Sequence, residues 1–197
     1  SGGVILKRPE DDCLIDKRQA ARRADVKQDA LLVRPLFYKL MTEKITIYQV
    51  LPRLYGNTTA NNIPGGDIHE NGCGKLGDFT PEVLKRIKDF GFTHIWYTGV
   101  LEHATQTDYT TYGIAKDHPA VVKGKAGSPY AIKDYYDICP DLASAPEKRM
   151  KEFEALVRRT HKAGLKMLID FVPNHVARSY HSDAKPARVK DLGEGDD

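Results

Sequence analysis

A chain of 197 residues has room for one hydrophobic core, or for one core and an arm. Its hydrophobic fraction of 41% and charged fraction of 29% are those of an ordinary globular protein, which excludes the fibrous and disordered classes. The 30 Lys and Arg stand against 27 Asp and Glu, a near balance that argues against a nucleic-acid binder.

Residues 1–44 read as a charged helical arm, in which Leu14, Ala20, Ala21 and Ala24 recur among Lys, Arg and Asp. Its apolar end, Leu31 to Tyr38, is expected to dock on the body. The opening apolar run Val4-Ile5-Leu6 is too short for a secretory leader, and no apolar stretch has bilayer-spanning length. Ile45 to Leu51 predicts a strand closed by Pro52, and the Gly- and Asn-rich stretch from Gly56 to Gly77 predicts a loop.

Two segments then share one cadence. Thr80-Pro81-Glu82 predicts a helix start with Thr as cap; Val83, Leu84, Ile87 and Phe90 form its stripe, Gly91 ends it, and Phe92 to Tyr97 follows as a strand. Ser144-Ala145-Pro146-Glu147 has capping-box spacing; Met150, Phe153, Leu156 and Val157 form the second stripe, Gly164 ends it, and Leu165 to Ile169 is the strand. The resulting β-α-β-α-β order predicts an α/β fold with a parallel sheet. Such sheets carry their ligand groups at the carboxyl ends of the strands, here Leu51–Asn57, Tyr97–His103 and Asp170–His175. The long polar loop from Leu101 to Pro129 adjoins the second of these ends.

Cys13, Cys73 and Cys139 are odd in number and widely spaced, so neither a disulfide framework nor a metal pair is expected. Reduced thiols fit the cytoplasm; a leader removed from ahead of the chain would instead fit a secreted or periplasmic protein.

The polar groups of Asp170-Phe171-Val172-Pro173-Asn174-His175 bunch where an apolar strand stops. One reading is a carboxylate and an imidazole facing a polar substrate, with Asn174 on a backbone group or a hard cation. The other is a capping Asp and a solvated turn. In Ser128 to Leu142, Tyr130, Tyr135 and Tyr136 offer flat apolar faces for sugar rings, or else pack a tyrosine-rich loop on its own domain, the stronger reading of this stretch alone. Trp96, inside a strand, is expected in the core. His94 and His161 read as structural or solvated, and His69, His103 and His118 lack zinc spacing. Asn57, Asn61, Asn62 and Asp67 have oxygens for calcium, but Asn-rich turns are far commoner. Phosphate-loop and Gly-x-Ser-x-Gly motifs are absent.

Four blocks in this order resemble the first third of the catalytic barrel in the α-amylase family of glycoside hydrolases (family 13). Ile47-Tyr48-Gln49-Val50 through Arg53 is similar to the family's first strand and its exit. Gly91 to Val100 is similar to the second strand. Tyr130 with Asp134-Tyr135-Tyr136 falls where the family has Tyr followed by Asp-Tyr, and Asp170 to His175 matches the first conserved region, Asp-x-Val-x-Asn-His, without substitution. The resemblance covers about residues 45–180 and leaves residues 1–40 unexplained. It implies the first three βα units of a (β/α)8 barrel over 45–180, truncated, after the arm at 1–44, with residues 181–197 opening a loop or inserted domain.

By resemblance, Tyr130 stacks on the sugar beside the scissile bond and His175 hydrogen-bonds its hydroxyls. Asp170 orients an arginine outside this chain, and Asn174 ligates a structural calcium. The family often has His-Gly before the tyrosine, whereas Ser128-Pro129 stands here, which puts a histidine contact in doubt. The nucleophile and the acid are expected after the fourth and fifth strands, beyond these residues, so no catalytic residue is expected within them. The implied partner is an α-glucan or maltooligosaccharide and the implied parent a retaining hydrolase, the chain itself being inactive. Transglycosylating relatives (branching enzymes, glucanotransferases) and non-catalytic sugar-binding relatives share these motifs. An independent open α/β domain is the remaining alternative.

Overall fold

The fold is that of a computed structural model, and the structure describes residues 44–195. The helical arm expected over 1–44 lies outside the described residues apart from Lys44. In chain order the elements are β1 (Ile47–Val50), a one-turn helix α1 (Ile68–Asn71), α2 (Pro81–Asp89), β2 (His94–Tyr97), β3 (Leu101–His103), β4 (Ile132–Ile138), α3 (Arg149–Lys162) and β5 (Lys166–Ile169). Residues 181–195 run as turns without helix or strand. Among the described residues, no helix is long and apolar enough to cross a membrane.

β1, β2 and β5 pair in parallel in that order, with Val50, Tyr97 and Ile169 in register at their carboxyl ends. β3 and β4 form a separate antiparallel ribbon. The period of two splits the sheet into two faces. Tyr48, Val50, Ile95, Tyr97 and Met167 pack with Leu84 and Ile87 of α2 and with Phe153 and Leu156 of α3. Phe79 joins them, stacked on Tyr55 at 4.6 Å and edge-on to Tyr97 at 4.8 Å. Burying each such side chain contributes about 1.5–3 kcal/mol. The Tyr97 hydroxyl meets Thr160 Oγ1 of α3 at 2.8 Å, which satisfies the polar atoms that this packing buries.

Local chemistry explains the helix ends. Thr80 Oγ1 accepts from the Val83 N–H and Pro81 occupies the first turn of α2. Gly91 and Gly164 follow α2 and α3 directly after their C-caps, as expected. Several expectations are corrected. The capping box is not at Ser144 but at Asp67: Asp67 accepts from the His69 and Glu70 N–H groups, and Glu70 accepts from the Asp67 N–H. The stretch from Gly56 to Gly77 thus contains α1, and Asp67 is a cap. Before α3, the Glu152 carboxylate accepts from both the Ser144 and Ala145 N–H groups at 2.9 Å. Phe90 leaves the stripe because it is the C-cap residue; it is 84% exposed and stacks on Phe92 instead. Met150, in the first turn of α3, is also exposed. The tyrosine-rich stretch holds strand β4 and the long polar loop begins with β3.

The ribbon is tied to its loops by an ion pair out of water. Lys133 Nζ of β4 lies 3.2 Å from Asp117, with side-chain exposures of 4% and 2%. Lys133 also donates to the Ala115 carbonyl, and Asp117 accepts from the Thr105 N–H and the Ser179 hydroxyl. One pair therefore joins β4, the loop after β3 and the segment after β5. Cys139 lies in the main core and Cys73 packs against it, both as free thiols; burial, then the nearby Asp141 carboxylate, pushes the Cys73 thiol up to about 11 and that of Cys139 well above its ordinary value.

Lys133→Met is expected to destabilise the fold by roughly 3–5 kcal/mol, because it strands Asp117 as a buried lone charge. Adding Asp117→Leu should recover most of the loss. Urea unfolding of the two variants checks this, and a double variant as unstable as the single one would contradict it.

Candidate active-site wall

The strand register brings the ends of β1, β2 and β5 to one edge of the sheet, and Asp170 is the first residue past β5. Its Oδ1 accepts from the indole N–H of Trp96, and its Oδ2 accepts from the Gly99 N–H at 3.2 Å. Asp170 therefore bridges back to the neighbouring strand. Trp96, expected in the core, is half-buried. It alternates with the buried Ile95 and Tyr97 and so stands on the other face, among Gln49, His94 and the partly exposed Leu168. At the same edge, Gln49 Nε2 donates to Thr98 Oγ1 at 3.0 Å.

Gly99 also locates Tyr130. Its φ is +70°, and a Cβ there would come within 2.5 Å of Pro129 Cβ, so only glycine suits the turn and the contact. Pro129 thus rests on the residue whose N–H holds Asp170, and Tyr130 follows it, 46% exposed. Arg53 secures the approach to this loop from β1, donating to the carbonyls of Ala126 at 2.9 Å and Gly127 at 3.1 Å. Its second nitrogen also lies 2.5 Å from Nε2 of His103. Nδ1 of that buried ring faces the Leu101 carbonyl at 3.2 Å. Burial, then the Arg53 cation, pushes the His103 pKa down. The neutral ring with its proton on Nδ1 therefore accepts from Arg53. His103 is a structural partner of the loop that no sequence spacing revealed.

Asn174 and His175 are exposed and line an open hollow of about 590 Å³ with Phe171, Tyr135, Tyr136, Tyr180 and Lys190. The rings of Phe171 and Tyr180 stand 5.5 and 5.8 Å from that of Tyr135, whose hydroxyl donates to the Val172 carbonyl. Aromatic faces beside exposed polar groups suit a ring that is apolar on its faces and hydroxylated at its rim. Tyr130 does not line this hollow. The structure brings His175 and Asn174 into one hollow, sets Asp170 at the strand edge, and rests Pro129, the residue before Tyr130, on Gly99, whose N–H holds Asp170. Phe171 and Tyr180 were missed; the alternation that buries Val172 turns Phe171 outward, which a strand-exit reading would have shown.

The hollow also tests calcium. Its lining offers the Asn174 amide oxygen but no carboxylate, and it includes the Lys190 cation. Ca²⁺ takes six to eight oxygens. The lining residues do not by themselves fit the ion.

The sequence pattern of the α-amylase catalytic domain matches residues 49–192. Maltase A1 of Drosophila melanogaster is 29% identical over 65% of this chain and 16% of its own length. Cyclomaltodextrin glucanotransferase of Geobacillus stearothermophilus is 27% identical over 73% of this chain and 19% of its own. An α-amylase structure from Lactobacillus plantarum is 28% identical over 68% of this chain and 24% of its own, with a TM-score of 0.46. The matched part of the chain thus spans 16% and 19% of the lengths of these two curated relatives. With the family pattern running from β1 through the strand ends to the hollow, the chain belongs to the α-amylase family of glycoside hydrolases.

Proposed function

We propose that this chain forms one wall of the glucan cleft in a retaining hydrolase that cleaves α-glucosidic bonds of starch-type glucans. It contributes the first three βα units of a (β/α)8 barrel over residues 45–180, with residues 181–197 opening the loop or inserted domain after the third strand. The supporting observation is the setting of Asp170 between Trp96 and Gly99 at the carboxyl edge of a parallel sheet, with exposed His175 just beyond. Barrel enzymes place their ligands at this edge.

In this reading His175 hydrogen-bonds sugar hydroxyls and Tyr130 stacks on the sugar beside the scissile bond. Asp170, already oriented by two donors, keeps lone pairs to align an arginine from outside this chain. Asn174 offers an amide oxygen to sugar or cation; the hollow supplies no carboxylate to complete a calcium shell, and no step is derived through an ion there. Retaining cleavage needs a nucleophile and an acid about 5 Å apart. The matched blocks supply supporting and binding residues but neither of these, so the 197 residues alone do not cleave glucans. The glucanotransferase among the relatives supports a second reading, glycosyl transfer to a sugar hydroxyl, which uses the same donor-side wall.

Incubated with starch, the purified chain is expected to release no reducing sugar above the blank; reproducible release would overturn the inactivity. Trp96 is the one tryptophan and touches Asp170, so its emission reports on this edge. Titration with maltoheptaose should change that emission, and His175→Ala should weaken the binding about tenfold, the upper range of one net hydrogen bond. Equal affinity of wild type and variant would remove His175 from the site.

A further inference from the structure

Four carboxylates outside this wall converge at the β3–β4 ribbon. Ligand oxygens of Glu102, Asp134, Asp137 and Asp183 all lie within 4.8 Å of one another. Asp134 and Asp137 are three residues apart, so a regular strand would point them to opposite faces. The pairing is irregular there: Leu101 pairs with Ile138, yet the next residue, Glu102, pairs with Asp134. Tyr135, Tyr136 and Asp137 are thereby bulged from the ladder, and bulges re-aim side chains. The irregularity turns both carboxylates toward Glu102.

The group is held as ligands are held. Asp134 accepts from the Tyr136 N–H at 2.7 Å, the Ser182 hydroxyl at 2.7 Å and the Ala184 N–H at 3.2 Å. Asp137 accepts from the Ile138 N–H at 2.7 Å and from the Arg149 guanidinium at 2.8 and 2.9 Å. These donors fix both carboxylates. Asp134 keeps a lone pair free, whereas Asp137 is engaged on both oxygens by Ile138 and Arg149, so an ion takes Asp137 only by loosening its Arg149 bonds. Glu102 differs. It is 2% exposed, and its Oε2 is buried without a hydrogen-bond partner. Burial, followed by the Asp183 and Asp137 charges, pushes its carboxyl up to about 8. Arg149 offsets one negative charge of the group, and Lys133 is already committed to Asp117. Asp183 is exposed and opens the group to solvent.

We propose that Glu102, Asp134, Asp137 and Asp183 form a divalent-cation site that selects Ca²⁺ over Mg²⁺ and fastens the Ser182–Ala184 segment to the ribbon. The site is empty in this structure. Four protein carboxylates on one ion suit Ca²⁺, which takes six to eight oxygens in flexible geometry, better than Mg²⁺, which demands near-octahedral geometry and keeps several waters. The cation gives Glu102 Oε2 its missing partner and offsets the buried charge. None of the four carboxylates lines the hollow that holds Asn174, the calcium ligand that the family resemblance implies.

The test uses the full 197-residue chain stripped with EDTA and transferred to metal-free buffer. Calorimetric titration with CaCl2 should show binding, with Tm rising by roughly 5–10 °C at about a hundredfold excess over Kd, and MgCl2 at equal concentration should give a smaller rise. Glu102→Gln, an uncharged isostere, should weaken calcium binding at least ~10-fold without lowering the metal-free Tm, since it removes repulsion. Asp183→Asn at the exposed rim should weaken binding similarly, which covers the case of a misfolded Glu102 variant. Asn174→Ala should keep wild-type affinity. Absence of a calcium-dependent heat and Tm rise overturns the proposal. So does calcium binding that Asn174→Ala abolishes while Glu102→Gln and Asp183→Asn retain it.

Discussion

The level at which three strands end governs the rest of the molecule. Val50, Tyr97 and Ile169 stand side by side, so the residues just past them emerge at one height. A one-residue slip of β5 would carry Asp170 away from Trp96 and Gly99 and would turn Met167 out of the core. The same packing that buries Ile95, Tyr97, Leu84 and Leu156 therefore sets the register of the polar edge. Stability and site geometry rest on one set of contacts.

Around that edge the loops are held by long-range polar bonds as well as by small apolar clusters. Arg53 reaches from β1 to Ala126 and Gly127, and the Lys133–Asp117 pair joins β4 to two loops. A buried charge pair contributes little net stability, yet losing one partner is costly. Such anchors specify where a loop sits without filling a core. They leave loop surfaces free to vary in sequence, which is how binding residues come to sit on rigid scaffolds.

The α/β core was legible because its signals are local. The stripe around Leu84 and Ile87, the Thr80 cap and the Gly91 stop all act within a few residues. The run from Asp170 to His175 stood out because strand exits collect polar groups, and its reading as a site came from the family resemblance. What stayed hidden depends on partners distant in sequence. His103 acquires its meaning from Arg53, 50 residues away. Trp96 reads as core because nothing nearby says which face of β2 is covered. Asp134 and Asp137 converge with Glu102 only through a pairing irregularity, which period-two reasoning denies. The misplaced capping box has a simpler origin: Asp67 and Glu70 had the right spacing, but the Gly-rich context hid a one-turn helix.

Cys139 has a consequence of its own. Its sulfur lies in the main core, 3.9 Å from Nε2 of His103, and burial keeps it protonated. Thiolates, not thiols, attack alkylating reagents and disulfides. In the native protein such a reagent gains access to this sulfur only when the core opens. The rate at which Cys139 is modified then counts those openings. One atom in the sequence thus serves as a clock on how often the layer between sheet and helices comes apart.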